Sequence, residues 1–290
     1  MKISVFITSY NQRDYLKEAI DSVLAQTVPA AQIIVADDAS SDGSQDLIAD
    51  YYRSYPELFT PIYHTINTGV AQIRVDALKA VRGDYVTYVD GDDWFLPEKL
   101  ELESKALESA PETRIAFSNN EYVSEDGNTF LRKWADGEEV PRGEVFWQTF
   151  SRTFPRRDLF RMELVHYDSW CRVGFHDPKM RLYEDFDMRI RLSKKLKVTY
   201  VDCVLSRIRS HQRGLSHLNL EQHFNALNYL FHKNIHLLNS LPAEQRRRAI
   251  SGFKGWITPI GKMAAQKAFQ SGSILDAAKM RLKTLRFQVL

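Results

Sequence analysis

The sequence predicts an α/β protein with a mostly parallel central sheet, helices on both faces, and a helical C-terminal extension. Short runs of buried-strand character alternate with helical patterns through residues 1–90. The loops between them are short, as right-handed crossovers between parallel strands require. Past residue 218 the pattern is helical throughout.

Ile3, Val5, Phe6 and Ile7 mark a first buried strand, Lys2 to Thr8. Ser9-Tyr10-Asn11 follows, and Asn11 is the expected N-cap of a helix with Leu16, Ala19, Ile20, Val23 and Leu24 on one face. Ile33 to Ala36 form a second strand closed by Asp37-Asp38, and a helix is expected from Ser44 to Tyr55. A third strand is expected at Pro61 to Thr65, then a turn at Asn67-Thr68-Gly69. A third helix carries Val70, Ile73, Ala77, Leu78 and Val81, and Tyr85 to Val89 form the fourth strand.

Further on, Pro97 opens a helix that ends before Pro111, Ile115 to Ser118 read as a strand, and Glu121 to Leu131 as a hairpin around Asp126-Gly127. Residues 132–180 show no clean period. A helix opens near Tyr183 with Glu184 and Asp185 in its first turn, where the helix dipole favours negative charge. Val198 to Val201 and Val204 to Ile208 read as two short strands. Four helical stretches are expected at 219–239, 243–254, 256–270 and 273–287.

The fourth strand runs straight into Asp90-Gly91-Asp92-Asp93. Carboxylates crowded at the end of an apolar strand repel one another and are costly to desolvate. A hard divalent cation, Mn²⁺ or Mg²⁺, accepts their oxygens and cancels the charge. Gly91 would leave room for a close-lying ligand and permit positive φ. The alternative is a solvated acidic turn. Ser9-Tyr10-Asn11 and Asp37-Asp38 end two further strands, and in an open sheet such ends share the edge where ligands bind. That convergence favours the metal.

Taken together, Ser4 to Asn11, Ile33 to Ser44, Asn67-Thr68-Gly69 with Arg74, and Asp90-Gly91-Asp92-Asp93 resemble the GT-A-fold glycosyltransferases of family two. The resemblance covers residues 1–110 and resumes at Gly174-Phe175-His176-Asp177, Glu184-Asp185 and His211 to Ser216. It implies a nucleotide-sugar donor, a divalent metal and, for most members, inversion at the anomeric carbon. By position, Ser9, Tyr10, Asn11, Asp38, Asn67, Arg74, Asp90 and Gly91 would line the donor site, with Asp38 on the nucleobase. Asp92 would bind the metal with His211, which is equally readable as a surface-loop histidine. Asp185 would be the general base, supported by Glu184. Asp93 would support the metal loop or cap the helix that follows. One departure is the single glycine in Val173-Gly174-Phe175-His176-Asp177, where the family commonly has two. Trp134, Trp147, Phe150 and Trp170 are candidates to stack on sugar rings or to fill the core.

The expected organisation is a catalytic domain over 1–217, with a nucleotide-sugar-binding half (1–110) and an acceptor-side half (111–217), and a helical extension over 218–290. Its expected activity is metal-dependent inverting transfer of a sugar from a nucleoside diphosphate donor, UDP above others, to a glycan or lipid-linked acceptor. The alternatives are a sugar nucleotidyltransferase, which would need a glycine-rich triphosphate loop that Ser9 to Arg13 lack, and a non-catalytic nucleotide-sugar-binding protein. A net charge of +2 from 39 basic and 37 acidic residues is not that of a nucleic-acid binder. Two cysteines give neither a disulfide framework nor zinc spacing, and residues 1–9 carry no signal-peptide pattern, so the expected location is cytoplasmic. In the tail, Lys279, Arg281, Lys283 and Arg286 alternate with Met280, Leu282, Leu285 and Phe287. That pattern suits peripheral contact with the inner face of a membrane, contact with a second subunit, or packing on the catalytic domain.

Overall fold

The computed structural model describes residues 1–211 and 219–289. The chain runs through β1 (Ile3–Ser9), α1 (Arg13–Leu24), β2 (Gln32–Asp37), α2 (Ser44–Ser54), β3 (Phe59–Tyr63), α3 (Val70–Lys79) and β4 (Tyr85–Asp90). It continues with β5 (Trp94–Phe95), α4 (Lys99–Ser109), β6 (Thr113–Val123), β7 (Phe130–Lys133), α5 (Phe146–Ser151), β8 (Leu164–His166) and α6 (Tyr167–Val173). Then come α7 (Glu184–Lys195), β9 (Lys197–Arg209), α8 (Leu220–Asn234), α9 (Ala243–Gln270) and α10 (Ile274–Val289).

All the strands join one sheet in the order β3-β2-β1-β4-β8-β6-β9-β5, with β7 beside β6. The first four strands are parallel, as expected, and the second half is mixed: β8 runs antiparallel to both β4 and β6, while β6 and β9 are parallel. Register sets the site. Ser9 lies beside Asp37 and Thr8 beside Asp90, so three strand ends meet at one edge.

Several elements differ from the sequence expectation, each for a local reason. β6 runs on through Asn119, Asn120 and Glu121, because these polar residues still find backbone partners on β9 across two register shifts. The two strands expected after Leu196 are one strand, in which Asp202 and Cys203 form a bulge between the paired residues Val201 and Val204. The segment 132–180 holds α5, β8 and α6, which are too short to show a period. The stretches 243–254 and 256–270 are one helix that continues through Pro259 and packs against α5, α8 and α10. Asn11 does not cap α1. It sits at φ 51°, and its Oδ1 accepts from the Ser41 amide (2.9 Å), while Gln12 takes the cap position.

One hydrophobic cluster spans the sheet and the C-terminal helices. Phe253 of α9 lies 5.4 Å from Phe150, 5.2 Å from Phe231 and 6.0 Å from Phe186, ring centre to ring centre. The tail is therefore docked on the sheet domain through aromatic contacts. Trp134, Phe150 and Trp170 are buried core residues, so they offer no sugar platform, and Trp147 is packed against the same core. On α10, Ala277, Met280 and Phe287 face inward, leaving Leu275, Leu282 and Leu285 exposed. Cys171 and Cys203 are exposed free thiols. The expected 217/218 boundary and the Gln212–Ser216 part of the histidine motif lie outside the described residues. Among the described residues, no helix is long and apolar enough to cross a membrane.

Candidate active site

The strand ends open into a cleft of about 790 Å³ whose lining includes Ser9, Tyr10, Asn11, Asp38, Asn67, Arg74, Asp90, Asp92, Asp93, Glu184, Asp185 and His211. Every expected site residue except Gly91 therefore lies on one cavity. Gly91 is buried beneath it. Its φ is not positive, and a Cβ there would stand 2.9 Å from the Thr8 carbonyl oxygen and from Gln12 Oε1. Its size is dictated by the close passage of β1, which corrects the reading that it makes room for a ligand.

Asp38 holds the far side of the cleft together. One of its oxygens accepts from the Thr68 amide (2.9 Å), Thr68 Oγ1 (2.9 Å) and His64 Nδ1 (2.8 Å), the other from the Gly69 amide (2.7 Å). Burial raises its pKa, but these bonds outweigh it and hold the carboxyl below the usual range. Ser9 Oγ lies buried on the cleft wall with no hydrogen-bond partner among the described residues.

Arg74 joins the two ends of the site. Its guanidinium donates to Asp90 Oδ1 (2.6 Å) and Glu184 Oε1 (3.0 Å), and it lies over the Tyr88 ring. Its side chain is 6% exposed and Glu184 is buried with it, so the two are a buried ion pair of the kind that fails badly when one member is removed. Burial pushes Glu184 up to about 7, against the pull of Arg74. Its neighbour Asp185 goes the other way. Burial raises it, but Arg189, Arg161 and Arg74 outweigh that and hold it well below the usual carboxylate range. Arg189 Nη1 donates to Asp185 Oδ2 (2.6 Å), and the same guanidinium bonds Tyr88 and Glu163. The other Asp185 oxygen accepts from the Phe186 amide (2.7 Å).

At the opposite end, His211 Nε2 and Asp92 Oδ2 stand 2.7 Å apart. The bond to Asp92 raises the basicity of the imidazole. Asp93 turns inward, where its Oδ1 accepts from the Arg209 amide (2.8 Å). Burial, with Asp92 and Asp90 beside it, pushes its carboxyl well above the usual range. Arg209 also donates from Nε to the Asp92 carbonyl (3.0 Å) and from Nη1 to the Glu125 carbonyl (2.5 Å), pairs with Glu18, and lies between the rings of Tyr15 and Trp94.

The donor set suits a small hard cation. Such ions are commonly bound through one or two protein groups and completed by substrate phosphates. Asp92 and His211 face the cleft and would be the protein groups for such an ion. Among the described residues, no group of three or more His, Cys, Asp or Glu side chains stands ready to hold a metal without other ligands. Asp93 is already committed to Arg209.

Sequence reasoning missed Arg189 and Arg209. Arg189 had a signal, because it lies four residues after Asp185 on one helix and so faces it. Arg209 had none, because the loop it serves is distant in sequence. At Val173 to Phe175 the departing turn is fixed by Arg191, which donates to all three carbonyls. His176 is buried there and lowered to about 3 by burial.

A half-parallel sheet with its strand-end carboxylates on one cleft, facing an acidic pair at a helix start, defines a GT-A-fold glycosyltransferase. The chain belongs to glycosyl transferase family 2, whose profile matches residues 4–179. It is 38% identical over 127 residues to TuaG of Bacillus subtilis, provisionally a teichuronic acid biosynthesis glycosyltransferase, covering 43% of this chain and 49% of that one. The chain thus spans about half the length of that relative. Two solved structures share the fold: Staphylococcus aureus TarS in complex with UDP-GlcNAc, and the Pyrobaculum calidifontis mannosyltransferase PcManGT in complex with GDP-Man and Mn²⁺. The first has TM-score 0.62 at 14% identity, covering 99% of this chain and 92% of that one. The second has TM-score 0.63 at 16% identity, covering 98% and 79%.

Proposed function

We propose that this enzyme transfers a sugar, with inversion, from a UDP-type donor to a hydroxyl of a glycan or lipid-linked acceptor. The observation that carries this is Arg74, which links Asp90 on the donor edge to Glu184 beside Asp185, so that leaving-group and base ends share one rigid frame. The nucleoside diphosphate lies along Ser9 to Asn11, Asp38 and Asn67, with its phosphates toward Asp92 and His211. Asp92 and His211, together with the diphosphate, would hold Mn²⁺ or Mg²⁺, which would supply charge stabilisation to the departing phosphate. Asp185, kept ionised by its guanidinium neighbours, accepts the proton of the attacking hydroxyl. Those neighbours also make it a weak base at rest, so proton transfer accompanies bond formation rather than preceding it. The UDP-sugar and GDP-sugar complexes of the two structural neighbours support the donor class. We place the enzyme on the cytoplasmic side, with α10 as the element that would touch a membrane or a second copy.

A thermal-shift panel of nucleotide sugars, with Mn²⁺ and with chelator, tests the donor and metal together. The true donor raises the melting temperature only with metal, by linkage of binding to stability. A panel flat in both conditions counts against the reading.

A further inference from the structure

On the Asp185 side of the cleft, Arg132, Arg152 and Arg161 line the cavity, and Asp158 pairs with Arg152 and Arg161. Arg132 and Tyr122 are cross-strand partners on β7 and β6, and the guanidinium lies 3.5 Å over the ring. Tyr122 donates to Asp158 Oδ2 (2.5 Å), and Arg152 to Asp158 Oδ1 (3.1 Å), so both oxygens of that carboxylate are taken. Arg161 reaches it only at 3.6 Å. Neither Arg132 nor Arg161 has a hydrogen-bonded partner for its buried guanidinium nitrogen, Nη1 in one and Nε in the other, among the described residues. Burial, with Arg161 nearby, lowers Arg152 despite Asp158. The backbone that presents two of these side chains is strained, since Arg152, Arg156, Arg157 and Met162 all have φ between 53° and 55°. Non-glycine residues are held there at a cost usually met at functional sites. Arg161 is one of the charges that lower Asp185, which puts the cluster within electrostatic reach of the proposed base.

We infer that Arg132, Arg152 and Arg161 form an acceptor subsite for an anionic group, a phosphate or a carboxylate carried on the acceptor next to the hydroxyl that is glycosylated. Arg152 is tied to the Arg157 carbonyl and Asp158, while Arg132 Nη1 and Arg161 Nε still lack a partner among the described residues, and planar guanidiniums fit either anion. This rests on the proposed function for the identity of the base side, and it specifies the acceptor class.

The test is direct binding to the full chain with UDP and Mn²⁺ present. The probes are a short glycerol-phosphate oligomer, a glucuronate-containing hexasaccharide and neutral maltohexaose. One of the two anionic probes is expected to bind about tenfold or more tightly than maltohexaose, the size of one charge-assisted contact. Which of them binds separates phosphate from carboxylate. Arg132→Gln and Arg161→Gln are each expected to remove about fivefold or more of that preference, with UDP affinity within about twofold. A triple Arg246→Gln, Arg247→Gln, Arg248→Gln variant, on the exposed basic run of α9, should keep it. Equal binding of charged and neutral probes by the wild-type protein overturns the inference and needs no variant. So does an equal loss in the triple variant, or a loss of UDP affinity with oligomer binding intact, which would give the cluster to the donor diphosphate. Failure to bind UDP while the anionic preference persists would sink the proposed donor and leave the subsite standing.

Discussion

Arg74 is the residue on which the site most depends. Both of its partners are carboxylates, and Glu184 is buried with it. Arg74→Gln should cost about 3–5 kcal/mol of stability, the range for breaking a buried ion pair from one side. Chemical denaturation measures it, and a loss below about 1 kcal/mol would mean that solvent or Glu184 protonation relieves the site. His176 makes a second residue-level prediction. Its folded pKa of about 3 lies below the unfolded value of 6.5. Between those values the unfolded chain binds more protons, so stability falls as pH falls through that window. The loss at pH 5 is about 2 kcal/mol from this group. His176→Gln should flatten the decline between pH 6.5 and 4. An unchanged slope would assign acid sensitivity to other groups.

At the scale of elements, helix-to-helix fit in the tail decides stability. Gly261 lies inside α9, where alanine is usually better by about 1 kcal/mol. Here a Cβ would stand 2.3 Å from Thr284 Oγ1 on α10 and 2.7 Å from Phe224 on α8. Gly261→Ala should therefore destabilise, by about 1–3 kcal/mol of overpacking, read as a drop in melting temperature. A rise would show that α10 yields. The same scale explains what was legible in the sequence. β1, β2 and β4 are read from short apolar runs and α1 to α3 from apolar faces, β3 starts two residues before the expected Pro61, and the register brings Ser9, Asp37 and Asp90 together. The sequence places Asp185 at a helix start, and its proposed role as base rests on the family resemblance. β8 has three residues and α5 six, and both are specified by packing rather than by period. Arg209 and Arg161 reach the site through tertiary contacts that no spacing reveals.

For the whole molecule, the tail's role turns on its outer face. α8 and α9 are docked on the sheet domain through Phe231 and Phe253, which leaves Leu275, Leu282 and Leu285 of α10 exposed among lysines and arginines. Contact with an anionic bilayer should appear in liposome flotation and weaken when Leu282 and Leu285 are both changed to Ser, with melting unchanged. Negligible flotation of the wild-type protein would end the membrane role. The same docking reaches the cleft, since Phe186, next to Asp185, packs on Phe253 of α9. Asp185, the proposed base, is thus bonded by Arg189 and flanked by a residue that the tail packs on.

The claim at the centre of this account is a division of labour across the cleft: Asp92 and His211 serve the diphosphate, and Asp185 takes the proton. It is tested most directly by measuring UDP release from the donor that the thermal-shift panel selects, in wild type and in Asp185→Asn, with UDP affinity measured on the same samples. Asp185→Asn should lower turnover by about 10²–10⁴ with UDP affinity within about twofold. Turnover at the wild-type rate in Asp185→Asn would contradict it.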